Sequence, residues 1–160
     1  MNNFYDTVKT IYWNNLKLFN LIIAIVFVFA IHQILKSALS PIELNKLIVT
    51  IINSVYPIIA TISGTLLGFI ITSVSIIVTF TESEKIKLLK ETGYYDKLFK
   101  IYFDTIKSLA ITTLISIIGI VSNSENIIWI YIIMASVVFS GLLMWASIWA
   151  LEMIIRIVKN

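Results

Sequence analysis

The stretch LIVTIINSVYPIIATISGTLLGFIITSVSIIVTFT, residues 47–81, decides how the chain must be read. Its 35 residues include no charge, and as a helix they extend ~52 Å against the ~30 Å of a bilayer's hydrocarbon. This is a transmembrane helix with length to spare. Pro57 cannot donate to the carbonyl of Asn53, so the excess is expected to be absorbed by a kink there, or by division into a short outer and a long inner piece. Thr50, Ser54, Pro57, Thr61, Thr65, Gly68, Thr72, Ser75 and Thr79 recur at spacings of three and four. At ~100° per residue they share an arc of about 100°. Such a face either packs tightly on another helix or lines a wet path.

The rest of the chain is of the same kind. With 59% apolar residues, 13% charged and a mean hydropathy of +0.96, the 160 residues fall outside the range of soluble domains and read as an all-α integral membrane protein in a single membrane domain. Four transmembrane helices are expected, at 16–36, 47–80, 103–121 and 127–151, the last extending toward 160. Before them, residues 1–15 place Phe4, Tyr5, Val8, Ile11 and Tyr12 on one side, the pattern of a short N-terminal interfacial helix. Ser40-Pro41-Ile42-Glu43 is a strong helix start, with Ser at the N-cap, Pro first and Glu third. Residues 81–102 form a cytoplasmic helical segment, in which Gly93 stops one helix and a second, from Tyr94, runs into the third span. Ser122-Asn123-Ser124-Glu125-Asn126 is a tight polar turn, so the last two spans form an antiparallel hairpin.

Charge orients the spans. Lys9 and Lys17, then Lys85, Lys87, Lys90, Lys97, Lys100 and Lys107, then Arg156 and Lys159 lie on one side, against only Lys36 and Lys46 on the other. The positive-inside rule therefore places both termini and the middle segment in the cytoplasm. Abundant Ile, Asn and Lys suggest an AT-rich genome, hence the bacterial inner membrane. Trp13, Trp129 and Trp149 lie near span ends as an aromatic belt, whereas Trp145 is deeper and is expected to pack.

Catalysis has little to stand on. The absence of cysteine removes thiol chemistry, and a lone His32 with a lone Arg156 cannot supply a triad or a multi-ligand metal site. No enzyme activity and no cofactor is expected. His32 is read as an interfacial packing or hydrogen-bonding residue.

The polar stripe leaves two readings open. As a pore it would comprise Ser54, Thr61, Thr65, Gly68, Thr72, Ser75 and Thr79, with Asn53 and Glu82 at its mouths, and Glu82 would favour cations. Four spans leave no room for a channel within one bundle, so such a pore needs a homo-oligomer, for example a tetramer, around a shared axis. As packing, Gly64-Thr65-Leu66-Leu67-Gly68 is a small-xxx-small element, and Ser136, Ser140 and Gly141 could serve the same end. Ser136, Ser140 and Ser147 of the fourth span are the reserve pore face. Lys90, Tyr94, Tyr95 and Lys97 combine cations with aromatics, as a nucleotide or oligonucleotide ligand would require, although anionic lipid and the interfacial belt explain the same residues.

Leu66-Leu67-Gly68-Phe69-Ile70-Ile71-Thr72-Ser73, followed by Glu91-Thr92-Gly93-Tyr94-Tyr95-Asp96-Lys97-Leu98-Phe99 and a further span, resembles the small four-span membrane effectors of bacterial anti-phage defence, nearest the channel-forming effectors of Hailong systems. The resemblance is one of architecture over most of the chain and rests on no functional motif. It implies an oligomeric ion channel or membrane-disrupting effector controlled by a nucleotide-derived signal from a partner enzyme. Two other readings stand beside it: a non-conducting membrane anchor or regulatory subunit for a partner protein, and a holin-like lesion former.

Overall fold

The computed structural model describes residues 15–79, 90–91, 94–122 and 127–159. The expected interfacial helix before Asn15, Glu82 and the turn at 123–126 lie outside the described residues. Among those described there is helix and no strand: α1 (Leu16–Ala38), α2 (Pro41–Thr50), a π turn (Ile51–Val55), α3 (Tyr56–Thr79), α4 (Tyr94–Ser122) and α5 (Ile127–Lys159). Four stretches are long and apolar enough to cross a membrane: Leu16–Ala38, Lys46–Thr79, Tyr95–Ser122 and Ile127–Glu152. The molecule is a multi-pass membrane protein.

Local chemistry accounts for the joints. Only Leu39 and Ser40 separate α1 from α2. The Ser40 hydroxyl and backbone N–H both donate to Glu43 Oε2, at 2.7 and 2.9 Å, and the Glu43 N–H returns to Ser40 Oγ at 3.5 Å. This capping box holds the Glu43 carboxyl below its ordinary pKa, chiefly through the serine hydroxyl. Past α2 the helical path continues, and the Pro57 problem is met by the π turn, in which the Tyr56 N–H bonds to the carbonyl of Ile51. A π turn holds an extra residue, which relieves the proline ring and keeps Ile48, Ile52 and Tyr56 turned toward the same core.

The spans pack chiefly as a row: α3 against α4, α4 against α5, and α5 against α1. Three groups of side chains hold it. Ile48, Ile52 and Tyr56 meet Ile130 and Ile133 at one end; Ile70 meets Leu98, Tyr102, Leu109 and Ala150 toward the other; Leu16 meets Leu143 and Ala146 where α1 docks. Helix α1 is attached sparingly. Its buried residues are Leu16, Asn20 and Ala24, on one face at intervals of four, and farther along it His32 Nδ1 is hydrogen-bonded to the Tyr131 hydroxyl at 2.6 Å. Trp145 does not pack as expected: it is 74% exposed, because the face of α5 that meets its neighbours is the one bearing Leu143, Ala146 and Ser147.

Gly119 makes the α3–α4 contact possible. A Cβ added there would lie 2.9 Å from Tyr56 Cε2 and 3.1 Å from Ile133 Cδ1, both on fully enclosed side chains. Gly119→Ala is expected to lower the free energy of unfolding in micelles by about 1–3 kcal/mol through overpacking. Gly141→Ala, where added atoms meet nothing within 4 Å, is expected to leave stability unchanged in the same titration.

Candidate pore-lining face

Hydroxyls in an apolar helix need acceptors, and lipid offers none. The protein answers this in two ways, on two different faces. Between α4 and α5 the hydroxyls bond across the helix gap. Thr105 Oγ1 lies 2.7 Å from Ser147 Oγ, Ser108 Oγ 2.6 Å from Ser140 Oγ, and Thr112 Oγ1 2.8 Å from Ser140 Oγ while also donating to the Ser136 carbonyl at 3.2 Å. Ser63 of α3 reaches Thr113 of α4 at 2.9 Å in the same manner. The residues concerned on α4, Thr105, Ser108 and Thr112, follow spacings of three and four and are all buried. Ser116 continues that spacing but donates to Thr112 of its own helix.

On the polar stripe of α3 the bonds stay within the helix. Thr61 donates to the Pro57 carbonyl, Thr65 to Thr61, Thr72 to Gly68, Ser75 to Ile71 and Thr79 to Ser75, all at 2.8–2.9 Å. Every one of these residues is exposed, as are Gly68, Asn53 and Ser54. With its proton spent on the helix, each hydroxyl turns its oxygen lone pairs outward. The opposite side of α3 carries the contacts to the neighbours, through Tyr56, Ser63 and Ile70. At ~100° per residue the two faces are centred about 170° apart. The stripe therefore points away from the rest of the chain.

These positions narrow one reading and correct another. Packing within the chain does not explain the stripe: Gly68 has nothing within 4 Å of an added Cβ, and Gly64 has only Thr113 Cγ2 at 3.9 Å, an ordinary contact. Nor do Ser140 and Ser147 form a reserve pore face, since they are 3% and 1% exposed and bonded to α4. The α4 hydroxyl ladder was the element that sequence reasoning passed over. Its signal, hydroxyls at 105, 108 and 112 facing serines at 136, 140 and 147, was present in the chain.

The candidate ligand contacts divide. Lys90 Nζ sits 5.3 Å from the centre of the Tyr95 ring, and that ring is stacked at 4.5 Å on Phe99, which leads on to Phe103. Lys97 is exposed and lies about 200° around α4 from Tyr95, so these two residues do not converge. The side chain of Tyr94 is outside the described structure. Lys90 and Tyr95 form a cation–π contact on an aromatic ladder, not a closed pocket.

The contrast between the two hydroxyl sets is measurable. Ser140→Ala removes two cross-helix bonds and is expected to cost about 1–2 kcal/mol of unfolding free energy in micelles, at the rate typical of such bonds in membranes. Ser75→Ala removes a bond within one helix and is expected to cost less than about 0.5 kcal/mol.

No protein-family model matches the chain, and neither a curated protein nor a solved structure does.

Proposed function

We propose that the chain is one subunit of a homo-oligomeric ion pore in the bacterial inner membrane, lined by the stripe face of α3. The observation that carries this reading is the direction of the stripe. A face of outward oxygens from Thr61 to Thr79, ~27 Å of helix, lies opposite the side of α3 that bears Tyr56, Ser63 and Ile70. Placed toward lipid, that length of acceptors would gain nothing; placed toward a shared axis, it offers a continuous wet lining whose lone pairs suit cations. Ser54 and Asn53, within the π turn, would flank one mouth, and Glu82 the other. The resemblance to defence effectors adds the biological side of the proposal: a toxic channel released by a nucleotide-type signal or by a partner. The alternative is a non-conducting anchor or regulatory module. It is favoured by the open surface at Gly68, which a helix of a partner protein could approach closely.

Purified protein in a planar bilayer distinguishes these. Discrete unitary currents with cation preference are expected, and Gly68→Leu is expected to abolish or sharply reduce them while leaving micelle stability unchanged, because the new side chain meets nothing within its own chain. Absence of current from correctly inserted protein would favour the anchor; large irregular leaks would favour a lesion former.

A further inference from the structure

A second feature of the bundle lies where α4 and α5 meet the start of α1. Helices α1 and α4 both lean on α5 but are not principal packing partners of each other. Along the α4–α5 seam, roofed by Lys17 of α1, is a groove of about 220 Å³ with Lys17, Asp104 and Lys107 at one end and Ile111, Phe139 and Leu143 along its walls. Lys17 Nζ and Asp104 Oδ1 bridge the gap at 2.7 Å, a strap between α1 and α4. Lys107, one turn along α4 from Asp104, is exposed and has no ion pair among the described residues. Two lysines and one aspartate leave the polar end with a single surplus positive charge. Beyond Lys107 the walls combine Ile111, Phe139 and Leu143 with Ser108, Thr112 and Ser136, whose hydroxyls are engaged by other hydroxyls and by backbone carbonyls, so that the surface left to an occupant is chiefly apolar.

We propose that this groove binds one anionic phospholipid per protomer, its phosphodiester against Lys107 and the Lys17 ammonium, and one acyl chain along Ile111, Phe139 and Leu143. The surplus charge matches a phosphodiester monoanion. The chemistry also says why the occupant is a lipid and not a soluble phosphate: a hydrophilic anion would satisfy the lysines but leave the apolar part of the groove empty, whereas an amphiphile fills both parts at the depth where each belongs. Basic residues at a span end above an apolar slot between helices are the arrangement that holds a charged headgroup and its chain together. Lodged there, the lipid headgroup adds a contact between Lys17 of α1 and Lys107 of α4 beside the Lys17–Asp104 strap.

The test uses the full chain in neutral detergent, titrated with phosphatidylglycerol, phosphatidylcholine or inorganic phosphate, and read by native mass spectrometry and thermal unfolding. Saturable binding of one phosphatidylglycerol per protomer is expected, with a raised unfolding temperature; phosphatidylcholine should bind at least about fivefold more weakly, the effect of one cation at a membrane surface. Lys107→Gln should weaken phosphatidylglycerol by about the same factor, whereas Lys36→Gln, at the other end of α1, should not. Ile111→Trp fills the groove from an exposed position and should abolish the bound lipid without lowering the stability of the lipid-free protein. Equal binding of phosphatidylcholine would overturn the proposal by making it ordinary annular lipid. Equal protection by inorganic phosphate would overturn the role of the chain, and indifference to both Lys107→Gln and Ile111→Trp would place any bound lipid elsewhere.

Discussion

A hydroxyl inside a membrane must give its proton to something, and where it gives it determines what the helix can face. In this protein Ser108 and Thr112 of α4 meet Ser140 of α5 at 2.6–2.8 Å, and Thr105 meets Ser147 at 2.7 Å while both also bond to carbonyls of their own helices, and that exchange ties the two helices together. Those of the α3 stripe give theirs to carbonyls one turn back on α3 itself. The first set is consumed by packing. The second leaves α3 with a surface that is polar in its oxygens yet demands nothing from a neighbour, so it can stand against water or against another chain.

That division organises the whole row of helices. The face of α3 bearing Tyr56, Ser63 and Ile70 is committed to α4 and its surroundings, and Gly119 lets the tyrosine ring come in close enough to commit it. The π turn ahead of Pro57 keeps α2 in register with that face, so the long apolar segment behaves as one element through the proline. At the other edge of the row α1 is joined through few of the described residues, among them the Lys17–Asp104 strap to α4. Asn20, 1% exposed, has neither amide atom partnered among the described residues, and the Tyr56 hydroxyl is enclosed without a partner as well. Groups of this kind cost on the order of 1–3 kcal/mol each when left unsatisfied. They mark the two places where the row as it stands is least settled.

The sequence made some of this legible and hid the rest for physical reasons. Span lengths, the Ser40–Glu43 capping box and the run of α4 from Tyr94 into the membrane follow from charge, local hydrogen-bonding chemistry and hydropathy, which act along the chain. Which face of α3 turns inward does not. Thr65 and Ser63 are equally at home in an apolar helix, and only the partner across the gap, Thr113, makes the latter a packing residue. The same holds for Ser140 and Ser147, whose role appears only once the hydroxyls of α4 are set opposite them. Trp145 is exposed because depth along a span says nothing about direction around it. The orientation of the stripe, on which the proposed pore depends, was therefore invisible until the helices were packed.

The central claim is that this outward face meets water and not lipid, and the lack of cysteine makes the chain a clean background for testing it. Single cysteines at Thr61, Thr65, Thr72 and Ser75 on the stripe, and at the equally exposed flanking positions Ile62 and Val78, about 100° to either side of its centre, would be treated in membranes with a charged thiol reagent, which needs a hydrated thiolate. The account predicts modification at the four stripe positions and none at Ile62 or Val78. Silence at all four stripe positions in protein shown to conduct would contradict it.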